Sequence, residues 1–316
     1  MKKIIFIILL YTLMFDVSAQ TIRKPWTELT LAERAAYVSA INSLTKSQVQ
    51  NLANEHDRLF NLGIHGVTQF LPWHRIFLQY FEGLIQSINP NVSVPYWNWH
   101  ETWNSSSLLF QNSSGQNTGI LGYNVNGSIW EDPLEGTMFN RGFTSEAQPN
   151  DNYKNQTTYS TFSNVLQTTP HNAGHRFVGG DMVARYSPID PIFYMHHCMV
   201  DKAWWDWYNG NPTADVSILD NNMVTFNGYP VSTINAETLI NSRDLKIWYA
   251  YNNLLILNNY VSNGTELYNY TTGSIEARNF IVPTSANVLF QTNGQNVTLG
   301  EGFEVNFGGT FEVKTN

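Results

Sequence analysis

Phe70-Leu71-Pro72-Trp73-His74-Arg75-Ile76-Phe77-Leu78-Gln79-Tyr80-Phe81-Glu82 is the stretch on which the reading of this sequence turns. Proline suits the first turn of a helix, so a helix is expected to start near Pro72. On it His74, Phe77, Leu78, Phe81, Leu84 and Ile85 recur at helical spacing and share one face. That face is apolar apart from one imidazole. A single histidine in such a place is more often a hydrogen-bonded core residue than a ligand.

The remaining histidines change that weighing. The chain has eight: His56, His65, His74, His100, His171, His175, His196 and His197. His56, His65 and His74 stand at even intervals. His171 and His175, four apart, fall on one face of a helix, and His197 sits on another apolar helix, expected over Pro191 to Tyr208, with Phe193, Val200, Asp201 and Trp204. Burying many imidazoles separately leaves many polar nitrogens in need of partners. A shared metal satisfies one nitrogen of each ring, and the other can donate to a nearby acceptor.

The donor set narrows the metal. Cys198 is the only cysteine, which excludes an intramolecular disulfide, zinc-finger sites and iron–sulfur clusters. No histidine has glutamate three residues before it, as carboxylate di-iron bundles require, and His171-Asn172-Ala173-Gly174-His175 lacks the glutamate of the zinc proteases. A site built wholly of imidazole nitrogen suits copper, zinc, iron or nickel.

Beyond the histidines, Phe70–Glu82 resembles the first copper motif of tyrosinases, catechol oxidases and haemocyanins. Asp190-Pro191-Ile192-Phe193-Tyr194-Met195-His196-His197, followed by Asp201 and Trp204, is similar to their second. Pro170-His171-Asn172 through His175 to Gly179-Gly180, and Pro95-Tyr96-Trp97-Asn98-Trp99, match further landmarks. The resemblance covers roughly residues 25 to 250. It implies a mainly helical copper domain in which His56, His65 and His74 hold one copper and His171, His175 and His197 the other. Phenols would be oxidised with O2 to o-quinones, catechols first and monophenols after hydroxylation. An oxygen carrier with the same six ligands is the rival reading, and a zinc-binding module a third.

The resemblance also assigns supporting roles. Asn172 is placed to hold a water near the second copper. Relatives often pair it with glutamate, but the position four before His171 is Gln167, whose amide can orient a water and cannot take up a proton; the alternative for Gln167 is a solvated helix end. Ala184, beside Val183, occupies the place of a gating side chain. His196 is expected to support the site through a bond to Asp201, Arg75 and Glu82 to form structural ion pairs, and His100 to lie outside the centre. Cys198 is not placed to form the cysteine–histidine link of some relatives.

Composition sets the surroundings. Of 316 residues 42% are hydrophobic, enough for a sizeable core, and a net charge of −8 disfavours a nucleic-acid surface. Lys2 and Lys3, the apolar run Ile4 to Phe15 and the small residues Val17-Ser18-Ala19 resemble an export signal over residues 1–19, too short to span a membrane. A secreted or periplasmic protein follows as the expectation. Thr30 with Glu33 reads as a capping box opening one helical stretch to Leu62. The polar segment from Glu101 to Thr161 reads as a loop over a site or a surface excursion.

The copper domain is expected over residues 20–257. From 258 to 316, short alternating runs punctuated by glycine predict a small β-rich module. No repeat indicates a solenoid, and Val297, Leu299, Val305, Phe307, Phe311 and Val313 are expected to form one buried face. The module would cover the copper site, with Tyr268, Tyr270, Phe280, Phe290 or Phe303 inserted, or attach the enzyme to carbohydrate or a surface.

Overall fold

The computed structural model describes residues 18–315 apart from 108, 110–118, 121–122, 125–128, 132–135, 137, 218 and 220–221. The apolar run from Ile4 to Phe15 lies outside the described residues. No helix among the described residues is long and apolar enough to cross a membrane. The chain divides into two units, Thr21–Asn252 and Asn253–Asn316, the second joined by the segment ending at Gln20.

Among the described residues, six α-helices shape the first unit. α1 (Leu31–Asn42) and α2 (Lys46–Leu59) replace the single stretch expected up to Leu62. The break at Ser43–Thr45 is chemical: Thr45 and Gln48 form a second capping box, like that of Thr30 and Glu33, so orphan N–H groups are satisfied at both helix starts. A π-turn over Phe60–Ile64, with Gly63 at φ 112°, then leads out of α2. α3 (Phe70–Gln86) carries Pro72 in its first turn, where the missing N–H costs nothing. α4 (Tyr159–Leu166) runs through a second π-turn, Gln167–His171, into α5 (Asn172–Val178). α6 (Ile192–Gly210) starts where the Asp190 carboxylate accepts the Ile192 N–H.

α3 packs on α6 through aromatic rings, Phe81 stacked on Tyr194 at 3.5 Å and Phe77 edge-on to Phe193 at 6.1 Å. Beneath this contact lies a buried ion network. Thr21–Arg23 pairs in parallel with Ile247–Tyr251 and delivers Arg23 to the interior, where it binds Glu82 through two bonds and Asp201 at 3.1 Å. Arg75 binds the other Asp201 oxygen at 2.5 Å and lies over the Trp204 ring. Arg75 and Glu82 are thus the structural ion-pair members the sequence suggests. Asp201, however, is committed to Arg23, Arg75 and the Tyr249 hydroxyl. It has no bond to His196, and that expectation is corrected below.

The long segment after Glu101 is tied to the helices where it is described. Arg141 forms a fully buried two-point pair with Asp190. The Gly142 carbonyl passes so near Gly179 that an added Cβ there would lie 2.3 Å from it, and Gly179 also needs φ 64°. Glycine is required on both counts.

The second unit is a short solenoid, contrary to the sequence reading. Leu254–Val261, Ser274–Val282 and Val297–Leu299 with Glu304–Val305 stack as parallel neighbours in one sheet. Thr265–Asn269, Asn287–Thr292 and Thr310–Thr315 stack in a second. Successive strands alternate between the sheets, so the chain coils, each turn lying on the one before. The step runs from 20 residues (Ile275 beside Leu255) to 23 (Thr310 beside Asn287).

Side chains of the first two turns fill its centre: Tyr268, Phe280 and Phe290 have no exposure, and Tyr270 3%. Leu299, Val305 and Val313 are exposed and Phe307 is wholly so, which corrects the expectation of a buried face there.

Candidate metal centre

Each sequence-predicted ligand arrives on its own element. His56 lies on the buried face of α2, His65 follows the first π-turn, and His74 lies in α3. His171 closes the second π-turn, His175 lies in α5 and His197 in α6. π-Turns are rare and concentrate at functional sites; here the first directly precedes a histidine and the second ends in one. Within the first triad the ring centroids stand 4.9–5.6 Å apart, and within the second 4.5–5.6 Å. The triads face one another, His74 stacking on His197 at 4.4 Å.

The tautomers follow from the second ring nitrogens. Nδ1 of His56 donates to the Arg185 carbonyl at 2.5 Å, that of His74 to Phe70 at 2.7 Å, and that of His175 to Met182 at 2.5 Å. His171 Nδ1 donates to Oδ1 of Asn172 at 2.9 Å. Four rings therefore carry their proton on Nδ1 and turn a bare Nε2 inward.

The consequence is electrostatic. Nε2 of His56 and of His74 is buried with no hydrogen-bond partner. Nε2 of His175 lies 3.1 Å from Nε2 of His171 and 3.4 Å from Nε2 of His197. Since His171 and His175 each hold their proton at Nδ1, two lone pairs face each other without a proton between them. A cation resolves that conflict, and nitrogens about 2 Å from one ion stand about 3 Å apart. Burial keeps the rings neutral, as ligands must be. It pushes His56 down to about 3 and His175 to about 4, and holds His65, His74, His171 and His197 well below the usual range, with neighbouring imidazoles adding to the effect.

By distance alone His196 also groups with His171 and His175, their nitrogens lying within 4.8 Å of one another. Its bonds argue otherwise. His196 Nδ1 accepts from the Trp99 indole and its Nε2 donates to the His171 carbonyl, both at 3.0 Å. No lone pair is left for a metal, so of the adjacent pair His197 is the one placed to ligate. His196 instead wedges between α5 and α6. A Cβ at position 174 would lie 2.2 Å from its ring, so Gly174 is the residue that makes room.

The other sequence candidates are distributed around this centre. Asn172 is half-buried and its oxygen is occupied by His171. Gln167 is 8% exposed, not a solvated helix end, and its Oε1 accepts the Gly66 N–H at 3.1 Å. Ala184 is half-buried and Val183 exposed. Both lie on a short strap whose ends anchor the two triads, Met182 to His175 and Arg185 to His56. Sequence reasoning missed that strap because backbone carbonyls leave no residue-type signature. His100 pairs with Asp151 near the surface, and Cys198 turns its thiol to the Val94 carbonyl.

Comparison with known proteins agrees with this geometry. The model for the common central domain of tyrosinase matches residues 33–155 and 135–210. The tyrosinase of Streptomyces lincolnensis is 28% identical over 61% of this chain and 84% of its own, and that of Streptomyces glaucescens 27% over 66% and 93%. Among solved structures, the tyrosinase from Burkholderia thailandensis superposes with a TM-score of 0.54 at 19% identity, covering 73% of this chain and 74% of its own. A functional unit of Octopus hemocyanin gives 0.55 at 23%, covering 74% and 68%. These superpositions show a shared fold. With the family match running through more than half of the sequence and both histidine triads assembled inside it, the chain belongs to the tyrosinase family, which uses two copper ions.

Proposed function

We propose that this protein is a copper oxidase that uses O2 to convert catechols to o-quinones, with His56, His65 and His74 holding the first copper and His171, His175 and His197 the second. The observation that carries the reading is the bare, inward-facing Nε2 set of two opposed triads. When bound, the copper pair supplies the two-electron exchange between a phenolic substrate and O2.

The chain's own groups set the geometry. Arg185, Phe70 and Met182 carbonyls and the Asn172 amide fix four ring orientations. Phe70, Trp73, Phe77 and Phe193 wall the first triad with apolar rings that exclude water. Ala184 and Val183 stand where substrate would reach the centre, and a small Ala184 favours wide phenols.

Catechol oxidation should exceed monophenol hydroxylation. Removing a phenol proton near pKa 10 needs a base, and Gln167 offers an amide whose oxygen is already bonded to Gly66. The basic start and apolar run before Val17 support export as the protein's destination.

Oxygen uptake by copper-loaded protein, followed with catechol, a monophenol and no substrate, tests the reading. Uptake with catechol, accompanied by a quinone chromophore, is the expected result. Reversible oxygen binding without turnover would replace it with a carrier function, and a protein that retains one zinc and no copper would remove it.

A further inference from the structure

Five of the six ligand-bearing positions lie in helices or at a helical turn, and four of those rings are fixed by a bond from Nδ1. His65 differs on both counts. Its backbone is extended, φ −132° and ψ 147°, and flanked by Gly63 and Gly66 at positive φ. Its Nδ1, like that of His197, is buried with no hydrogen-bond partner. Ring contacts with Phe60 at 4.4 Å and Phe70 at 5.8 Å limit its tilt and offer no directional bond.

The residue after His65 is held from the opposite triad's π-turn by one side chain among the described residues. Gln167 opens the π-turn that ends in His171, is almost fully buried, and reaches across to the N–H of Gly66, the residue after His65. Farther along, the Tyr159 hydroxyl holds the Thr68 carbonyl at 2.8 Å. The π-turn matters because its extra residue per turn shifts where Gln167 projects relative to His171.

We infer that Gln167 is a positioning residue for His65: its amide oxygen is a strut that sets the His65 segment of the first copper site from the helix that carries the second. The strut acts through Gly66 and leaves the His65 ring free to ligate. It needs an acceptor at position 167 and no particular charge, so a carboxylate serves equally and an apolar side chain does not. This inference rests on the two-copper reading for its effect on metal binding, and on the protein alone for its effect on the segment.

Gln167→Met keeps length and volume and deletes the acceptor; Gln167→Glu keeps the acceptor; Gln167→Ala repeats the deletion without adding an apolar side chain. In metal-free full-length protein, hydrogen exchange at the Gly66 amide should quicken about tenfold in the Met and Ala variants and stay near wild type in the Glu variant. Copper titration against a competing chelator should show one of the two sites weakened about 10–100-fold in the Met and Ala variants, with the other little changed. Unchanged Gly66 exchange on deleting the acceptor, equal weakening of both sites, or a Glu variant that behaves like the Met variant overturns the strut. Wild-type protein that fails to take up two coppers overturns the two-copper reading instead, and Gly66 exchange in the metal-free variants still decides the strut.

Discussion

The indole N–H of Trp99 lies 3.0 Å from Nδ1 of His196, which fixes His196 as an acceptor there and a donor to the His171 carbonyl through Nε2. The adjacent histidines of α6 thereby divide their work. His197→Ala is expected to bind one copper in place of two. His196→Gln should still bind two at saturating metal while losing about 1–3 kcal/mol of stability through the unpaired Trp99 donor. Metal analysis with denaturant unfolding checks both, and the reverse pattern of copper loss would reassign the ligand.

Gly174→Ala tests the same wedge from the other side. The added methyl meets the His196 ring at 2.2 Å, so either the ring or α5 must move. Overpacking of this kind costs about 1–3 kcal/mol. The second copper should weaken more than the first, because His171 and His175 flank position 174. Equal affinities at both sites would show that the ring has room to shift.

Asp201→Ala should be among the most destabilising single changes in the first unit. It strips Arg23 and Arg75, both buried, of a shared counter-ion. Removing one partner of a buried pair costs about 3–5 kcal/mol. Urea unfolding measures it; a loss below about 1 kcal/mol would mean that Glu82, bonded to Arg23, and the Leu239 and Ile240 carbonyls, which accept from Arg75, suffice.

These cases also show how much of the site is legible in the sequence alone. The candidate ligand histidines were legible because metal chemistry constrains residue type and helical spacing together, and His74 and His197 lie on strongly patterned helices. The partner of Asp201 was not, since Arg23 reaches it from a strand far away in sequence and leaves no local pattern. The solenoid was missed for a related reason. Its repeat is one of burial, Phe280 beside Tyr260 and Phe290 beside Tyr268, with steps of unequal length and little residue identity. The signal that could have revealed it is the return of an apolar residue to each stacked position.

Metal-free protein should lose stability as pH falls through the range where histidine normally titrates. His56 and His175 titrate at about 3 and about 4 when folded, against about 6.5 in the unfolded chain. Below about pH 6.5 the unfolded state takes up protons that the native state refuses, so stability is fully present above that pH and declines toward pH 4. Each such histidine contributes up to about 1.4 kcal/mol per pH unit in the window. The urea midpoint should be lower at pH 5 than at pH 7, and His175→Asn should flatten the difference. A slope untouched by that substitution would place the acid sensitivity elsewhere.

The last prediction concerns the C-terminal unit. All six candidate ligands, and the groups that orient their rings, lie within Thr21–Asn252. The aromatic residues that the sequence offers as a plug, Tyr268, Tyr270, Phe280 and Phe290, are buried; Tyr268, Phe280 and Phe290 pack on one another, and Phe303 stacks on Phe280. Withdrawing any of them to fill a copper site would open the solenoid's core, where deleting a buried phenylalanine costs about 3–5 kcal/mol. A chain ending at Asn252 is therefore expected to bind two coppers and to oxidise catechol at nearly the full-length rate. Phe307→Ala, which removes the one wholly exposed aromatic ring of the last turn, should leave turnover in the full chain unchanged. A several-fold rise in turnover on truncation, with folding preserved, would restore the cover reading, and the same rise in Phe307→Ala would name the residue responsible.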